Sequence, residues 1–338
     1  MEIIIRKPLG YSHIGRKERQ EDAVWPLFDE ATDQDACFVL CDGVGGSLHG
    51  EIASKTSSEV IGSYLEQIVK EKSVADDKDV QRAVSLAYDE LEKIDLKDAD
   101  GKVSMATTLA CICIHKNGIL ASHIGDSRIY HIRPDYGLLY QSADHSLVNA
   151  LLQAGELTIE EVPNFPRKNV ITRAIQPNRK RAKVEVHQLT DVQSGDYLFL
   201  CCDGVLEQLS NERLVEILSM KISDKEKLSL LEQESLDKTK DNFTAYLIPI
   251  DTVKGFSAIE ATDEVQEVVV ASAQPIKSKK LLSFDFRNKV NNRYILYGSI
   301  ILLLLLGLVI CYFSFFYNIP QRGNEKLKLP QKIDTLRI

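Results

Sequence analysis

The chain has no excess of basic residues: 41 Lys and Arg stand against 49 Asp and Glu, a formal net charge of −8 over 338 residues. That balance argues against nucleic acid as a partner and favours phosphorylated protein or a small molecule. There is no internal repeat, no Pro/Gly/Ser-rich break before about residue 250, and no export pattern in Met1-Glu2-Ile3-Ile4-Ile5-Arg6. These absences predict one domain over residues 1–252 and a chain whose bulk is not exported. Cysteines paired in polar loops are missing too. The seven cysteines lie mostly inside apolar runs, at Cys37 and Cys41, Cys111 and Cys113, Cys201 and Cys202, with Cys311 near the end. This placement disfavours a disulfide framework or zinc site and predicts reduced core side chains in a cytosolic compartment. Cys201 and Cys202 precede Asp203 at a strand end rather than sitting in a loop followed by Arg, so they are not read as a thiol nucleophile.

One long apolar run is present. Tyr294 through Gln321 holds no charged residue, and Ile300 to Leu306 is almost uniformly apolar, with Tyr294, Tyr297, Tyr312 and Tyr317 at its flanks. About 20 such residues span a bilayer core. The pattern predicts a transmembrane helix over 293–318, preceded by a flexible linker over 253–292 and followed by a short tail over 319–338. Basic residues flank both sides, Lys277 to Arg293 before and Arg322 to Arg337 after. The expected orientation, a single-pass membrane protein with a cytoplasmic catalytic domain, therefore rests on the absent export pattern.

Within the first 250 residues the periodicity predicts helices at Ser54 to Lys70, Asp79 to Ile94 and Ser146 to Ala154. Strands are expected at Thr108 to His115, Ile119 to Ile124, Ser127 to Arg133, Val184 to Leu189, Tyr197 to Cys202 and Phe243 to Ile250, with Asn117-Gly118 as a hairpin turn. Antiparallel strands with flanking helices and no regular strand–helix alternation indicate an α+β layered fold.

Two apolar runs close identically, Phe38-Val39-Leu40-Cys41-Asp42-Gly43 and Leu198-Phe199-Leu200-Cys201-Cys202-Asp203-Gly204. Each reads as a buried strand whose carboxylate emerges where the chain turns. If the strands lie side by side, the carboxylates meet, and a shared divalent cation relieves their repulsion. Acidic turns recur at Glu21-Asp22, Gly125-Asp126 and Asp241-Asn242. Oxygen-rich clusters of this kind suit Mg²⁺ or Mn²⁺.

The segments Gly15 to Asp22, Asp42-Gly43-Val44-Gly45-Gly46 with Gly50-Glu51 and Ala53-Ser54, Met105 to Thr108, Ile124 to Tyr130, Asp144-His145-Ser146, Ile171 to Ala174, Gly195-Asp196 to Gly204 and Asp241 to Thr244 come in one order. In that order the chain resembles the metal-dependent protein phosphatases of type 2C, bacterial in type, from about residue 8 to 250. The resemblance implies a four-layer α/β/β/α sandwich of two antiparallel sheets flanked by helices. It implies hydrolysis of phosphoserine and phosphothreonine in proteins by a water bridging two Mg²⁺ or Mn²⁺ ions. By matching motif, Asp42 bridges the ions, Gly43 gives its carbonyl, Asp203 and Asp241 complete the shell of the second ion, and Glu21 holds metal directly or through water. Asp126, with Asp203, matches the holder of a third, weaker ion. Phosphoprotein substrates, those of a partner serine/threonine kinase among them, follow from the same resemblance.

The chain departs from the pattern in places. Lys17, between Arg16 and Arg19, stands where the family has a phosphate-binding Arg; Lys17 and Arg16 are the candidate phosphate ligands, although Lys lacks the bidentate fork. Val44 replaces the His proposed as general acid in some members, and His49 reads as a polar turn residue. Gln176 and Pro177 alter the loop to Lys183. A catalytically weak phosphoprotein-binding scaffold is the alternative function; a contiguous calcium loop is absent.

Overall fold

The structure, a computed structural model, describes residues 2–45, 47–94, 105–167 and 169–255. The described residues form one compact unit. The expected transmembrane helix over 293–318, the tail and nearly all of the linker lie outside the described residues. Among the described residues no helix is long and apolar enough to cross a membrane.

In chain order the elements are β1 (Glu2–Ile5), β2 (Leu9–His13), β3 (Asp22–Trp25), β4 (Cys37–Asp42), α1 (Gly50–Lys72), α2 (Asp77–Leu91), β5 (Leu109–His115), β6 (Gly118–Ile124), β7 (Arg128–Arg133), β8 (Gly137–Gln141), α3 (Leu147–Ala154), β9 (Glu185–Leu189), β10 (Tyr197–Cys201), α4 (Asp203–Leu206), α5 (Asn211–Ser219), α6 (Asp224–Ser235) and β11 (Phe243–Lys254). One sheet runs β1-β11-β10-β7-β8 with β2 also on β11, and the other runs β3-β4-β5-β6-β9. Every pairing between these strands is antiparallel.

Strand alternation sorts the buried residues into two cores. On β4, Phe38 and Leu40 join the core between the sheets, with Phe199, Tyr246 and Ile248. The ring of Phe38 meets Tyr246 edge-on at 5.4 Å. Cys37, Val39 and Cys41 face the other way, onto Ile61 and Leu65 of α1 and Val80 and Ala87 of α2. Because both faces of β4 are covered, it reads in sequence as a continuous apolar run rather than an alternating one. Full burial of a side chain such as Phe38 contributes about 2 kcal/mol. The six described cysteines are buried and free.

Caps shift the helix boundaries from those expected. Asp76 accepts from the Asp79 N–H in a reciprocal capping box, so α2 starts before Asp79 and ends at Leu91. Helix α6 has the same device in Ser223 and Glu226, a Ser-x-x-Glu signal visible in the sequence. Strand β11 runs past Ile250 to Lys254 because β1 pairs with its final residues.

Candidate metal centre

The site is built at the ends of β4 and β10 and in the loops before β3 and β11. Strand β3 pairs with β4 so that Asp22 stands opposite Asp42. The Asp42 backbone is held on several sides: its N–H donates to Thr108 Oγ1 at 3.0 Å, and its carbonyl accepts from Thr107 Oγ1 at 2.8 Å. Thr108 Oγ1 also lies 2.7 Å from Ser127 Oγ, which ties Asp42 to the turn carrying Asp126. The Met105 to Thr108 block thus serves as the scaffold of a carboxylate far from it in sequence.

Glycines 43 and 204 are required by close approach rather than by a turn. A Cβ on Gly43 would stand 2.6 Å from the Gly50 carbonyl carbon and 2.8 Å from the Glu21 oxygen. A Cβ on Gly204 would lie 1.9 Å from the Asn242 oxygen. Each glycine after a strand-end Asp lets a second loop close onto the cluster, the loop of Glu21 and Gly50 in one case and that of Asp241 in the other. Gly204→Ala is therefore expected to push the Asp241 loop outward and raise the Mn²⁺ concentration for half-saturation at least tenfold, read by metal titration of the melting temperature. An unchanged titration contradicts this close-packing role.

Asn242 joins the two loops: its Oδ1 accepts from Glu21 N–H at 2.8 Å, and its Nδ2 donates to the carbonyls of Ile14 and Arg19 at 2.8 and 3.0 Å. Ser54 Oγ donates to the Glu21 carbonyl at 2.5 Å. Glu21 therefore enters the site through a pinned backbone, its carboxyl pushed up by burial and by Glu51 and Asp241 against the pull of Lys17.

The carboxylates perturb one another as a converging set. Burial, together with the charges of Asp203 and Asp241, raises Asp22 to about 7. Burial raises Asp42 well above the ordinary carboxylate range, with Asp22, Asp203, Asp126 and Asp241 adding to it. Asp126 reaches about 7 through burial and the neighbouring Asp203 and Asp144. Asp203 is raised by burial and by Asp241. Two buried carboxylate oxygens, Asp22 Oδ1 and Glu51 Oε2, have no hydrogen-bond donor among the described residues. Crowded acids with unpaired oxygens fit hard divalent cations, which supply the missing positive charge.

Of the expected metal ligands, Glu21, Asp42, Asp126, Asp203 and Asp241 are linked through these mutual effects, and Gly43 follows Asp42 at the same corner. Asp22 stands outside the set expected from sequence. Its signal is present in Glu21-Asp22, but the four residues of β3 are too few to show an alternation, and only that strand's register sets Asp22 against Asp42.

The two expected phosphate ligands part company. Lys17 Nζ lies 2.8 Å from Asp241 Oδ1. Burial opposes the Lys17 charge, yet Asp241, Glu21 and Asp42 outweigh it and hold the ammonium's pKa above its usual value. Arg16 instead donates to the Asp237 carbonyl at 3.1 Å and is exposed. The structure does not bring Arg16 to the carboxylates, because its guanidinium is engaged on the Asp237 carbonyl. Val44 donates its N–H to Ala106 O at 2.9 Å and only continues the backbone of the corner. His49 precedes α1 with Nδ1 3.9 Å from Glu51 Oε1.

Beside Asp126 and Asp203 a cleft of about 860 Å³ opens, lined in part by Arg128, Asp144, Leu152, Ile159 and Lys240. Arg128 forks onto Asp144 at 2.6 and 2.7 Å, fixing one wall. His145, outside the set expected from sequence, accepts at Nδ1 from the Gly125 N–H at 3.1 Å and so supports the turn that presents Asp126. Ser146 caps α3 by accepting from Asn149 N–H.

The family model for protein phosphatase 2C matches residues 9–239. Serine/threonine phosphatase stp of Listeria monocytogenes is 28% identical over 236 residues, covering 68% of this chain and 90% of that one. Protein phosphatase PhpP of Streptococcus pneumoniae is 35% identical over 189 residues, covering 55% and 73%. Among solved structures, the Mycobacterium tuberculosis serine/threonine phosphatase PstP/Ppp superposes with a TM-score of 0.59 at 26% identity, over 74% of this chain and 100% of that one. The catalytic domain of PstP in complex with two manganese ions gives a TM-score of 0.57 at 25% identity, over 74% and 100% of the respective chains.

Proposed function

This chain belongs to the protein phosphatase 2C family, serine/threonine phosphatases that use Mn²⁺ or Mg²⁺, and we propose that it hydrolyses phosphoserine and phosphothreonine in proteins at the cluster around Asp42. The observation that carries this reading is the convergence of Asp22, Asp42, Asp126 and Asp203, whose pKa values are raised, with Asp241 at one corner of the sandwich, where Asp22 Oδ1 is buried without a donor among the described residues.

In this reading Asp42, the Gly43 carbonyl, Glu21, Asp22, Asp203 and Asp241 would hold two ions, and Asp126 with Asp203 would hold a third. When bound, the ions supply an acidified water for in-line attack and positive charge for the phosphoryl oxygens. The chain's own residues hold the carboxylates in register, and Lys17 offers a point charge for the substrate phosphate. No side chain at Val44 can donate a proton to the leaving alkoxide, so solvent fills that role.

Turnover of a phosphothreonine peptide by the full chain with Mn²⁺ or Mg²⁺, abolished by chelator, is the expected result. No turnover under either metal overturns the enzyme and favours the scaffold alternative. Lys17→Ala is expected to raise KM for the peptide about tenfold, roughly 1.4 kcal/mol of lost phosphate contact. An unchanged KM removes Lys17 from the substrate site.

The proposal extends to location: the uncharged stretch from Tyr294 to Gln321 anchors the enzyme, with the phosphatase domain at the cytoplasmic face. Its substrates there are phosphoproteins, those of a partner kinase included. Protease added to intact cells is expected to trim the tail beyond Pro320. Trimming only after lysis contradicts this orientation.

A further inference from the structure

Cys202 precedes Asp203 and is fully buried at the floor of the cluster. Its Sγ lies 3.4 Å from Asp22 Oδ2 and accepts from the Thr244 N–H at 3.2 Å. One ligand atom from each of Asp22, Asp42 and Cys202 falls within 4.8 Å of the others. Asp22 is 9% exposed, and its second oxygen, Oδ1, is buried with no donor among the described residues. The cluster thus combines two hard oxygen donors with one soft sulfur donor.

Sulfur changes which cation the corner prefers. Mg²⁺ and Mn²⁺ take carboxylate, carbonyl and water, whereas thiolate selects zinc, which also stands above Mn²⁺ in general affinity. Zinc binds four ligands, with sulfur at about 2.3 Å and carboxylate oxygen at about 2.0–2.2 Å. Three side chains and one water complete such a shell, and atoms within 4.8 Å of one another can surround one ion at those lengths.

We propose that Asp22, Asp42 and Cys202 form a site for a thiophilic divalent cation, Zn²⁺, whose binding excludes the activating ion at Asp42 and switches hydrolysis off. The Sγ–H bond breaks as the Zn–Sγ bond forms, the proton passes to solvent, and no electron is transferred. The inhibition rests on the phosphatase reading; the binding does not.

The full chain is titrated with Cd²⁺, a soft spectroscopic stand-in for zinc, without substrate, and thiolate–cadmium charge-transfer absorbance is followed. The expected result is a band saturating at one equivalent, reversed by Zn²⁺, kept in Cys201→Ser and lost in Cys202→Ser. In a parallel Mn²⁺-activated assay, the Zn²⁺ concentration for half-inhibition, relative to each variant's own uninhibited rate, rises at least tenfold in Cys202→Ser. Cys202→Ala provides the same comparison if serine folds poorly. An identical band or identical inhibition in the Cys202 variants overturns the proposal, as does absence of any band in the wild type. Because absorbance requires no turnover, a failed band with intact activity removes the zinc site alone, and a band without activity removes the phosphatase reading alone.

Discussion

Asp42→Asn is expected to lower kcat on a phosphothreonine peptide about 10³-fold or more, while the metal-free protein melts at a higher temperature than the wild type. The first effect follows from the place of Asp42 in the cluster: it is the carboxylate whose charge is felt alongside Asp22, Asp203, Asp126 and Asp241. Loss of one charge-stabilising centre worth several kcal/mol corresponds to about three powers of ten in rate. The second effect has the opposite sign because Asn removes a carboxylate that Asp22, Asp203, Asp126 and Asp241 crowd in the metal-free state. The amide keeps the shape, and the Thr107 and Thr108 contacts are to the Asp42 backbone and survive. Paired kinetics and melting in chelator separate the outcomes. A parallel loss of activity and stability means that Asp42 is structural and sinks the assignment.

The metal-free protein is also expected to lose stability as pH rises from about 5 to 8, against the common trend. Asp22 and Asp126 titrate near 7 in the folded chain, with Asp42, Asp203 and Glu21 displaced the same way. In the unfolded chain carboxylates titrate at about 4. Between these values the native state binds more protons than the unfolded state, so the slope of unfolding free energy with pH is negative. The contribution of these five carboxylates is full below about pH 4 and drains away as pH climbs through the folded values. His145 works the other way: burial lowers its pKa, so its contribution is lost as pH falls below about 6.5. One site histidine against five carboxylates leaves the carboxylates dominant. A net loss of about 2 kcal/mol would lower the melting temperature by roughly 4–8 °C in a domain of this size. Mn²⁺ is expected to restore the loss, and to do so most at pH 8, where the carboxylates are ionised. Melting in chelator at pH 5.5 and pH 8 checks the sign. A higher melting temperature at pH 8 contradicts the account, and Asp42→Asn should flatten the dependence.

Much of the layered fold was legible because it is written in local pattern. Runs such as Phe38 to Cys41 and Leu198 to Cys202 carry no polar residue, and that announces strands covered on both faces. The short strands were not legible: β3 has four residues and begins at an acid, and β8 exposes Leu138 and Leu139, so neither shows a clean alternation. Without β3 there is no register to set Asp22 against Asp42. Helix α6 carries its signal in the Ser223 cap rather than in an apolar stripe, whereas α5 has both the Ser210 cap and a buried stripe of Leu214, Ile217 and Leu218.

By itself the sequence determined that acids stand at the ends of buried strands, because a carboxylate closing an apolar run has to surface where the chain turns. It determined their order along the chain, and with it the resemblance. Only the tertiary structure decided which acids meet. Asp22 and Cys202 are 180 positions apart, and the packing of one sheet on the other sets their distance. The same packing decided that Lys17 rather than Arg16 faces Asp241, that Gly43 and Gly204 are small so that two loops can close, and that a thiol lies beneath the carboxylates. Electrostatic strength depends on separation and burial, and neither is encoded in local spacing.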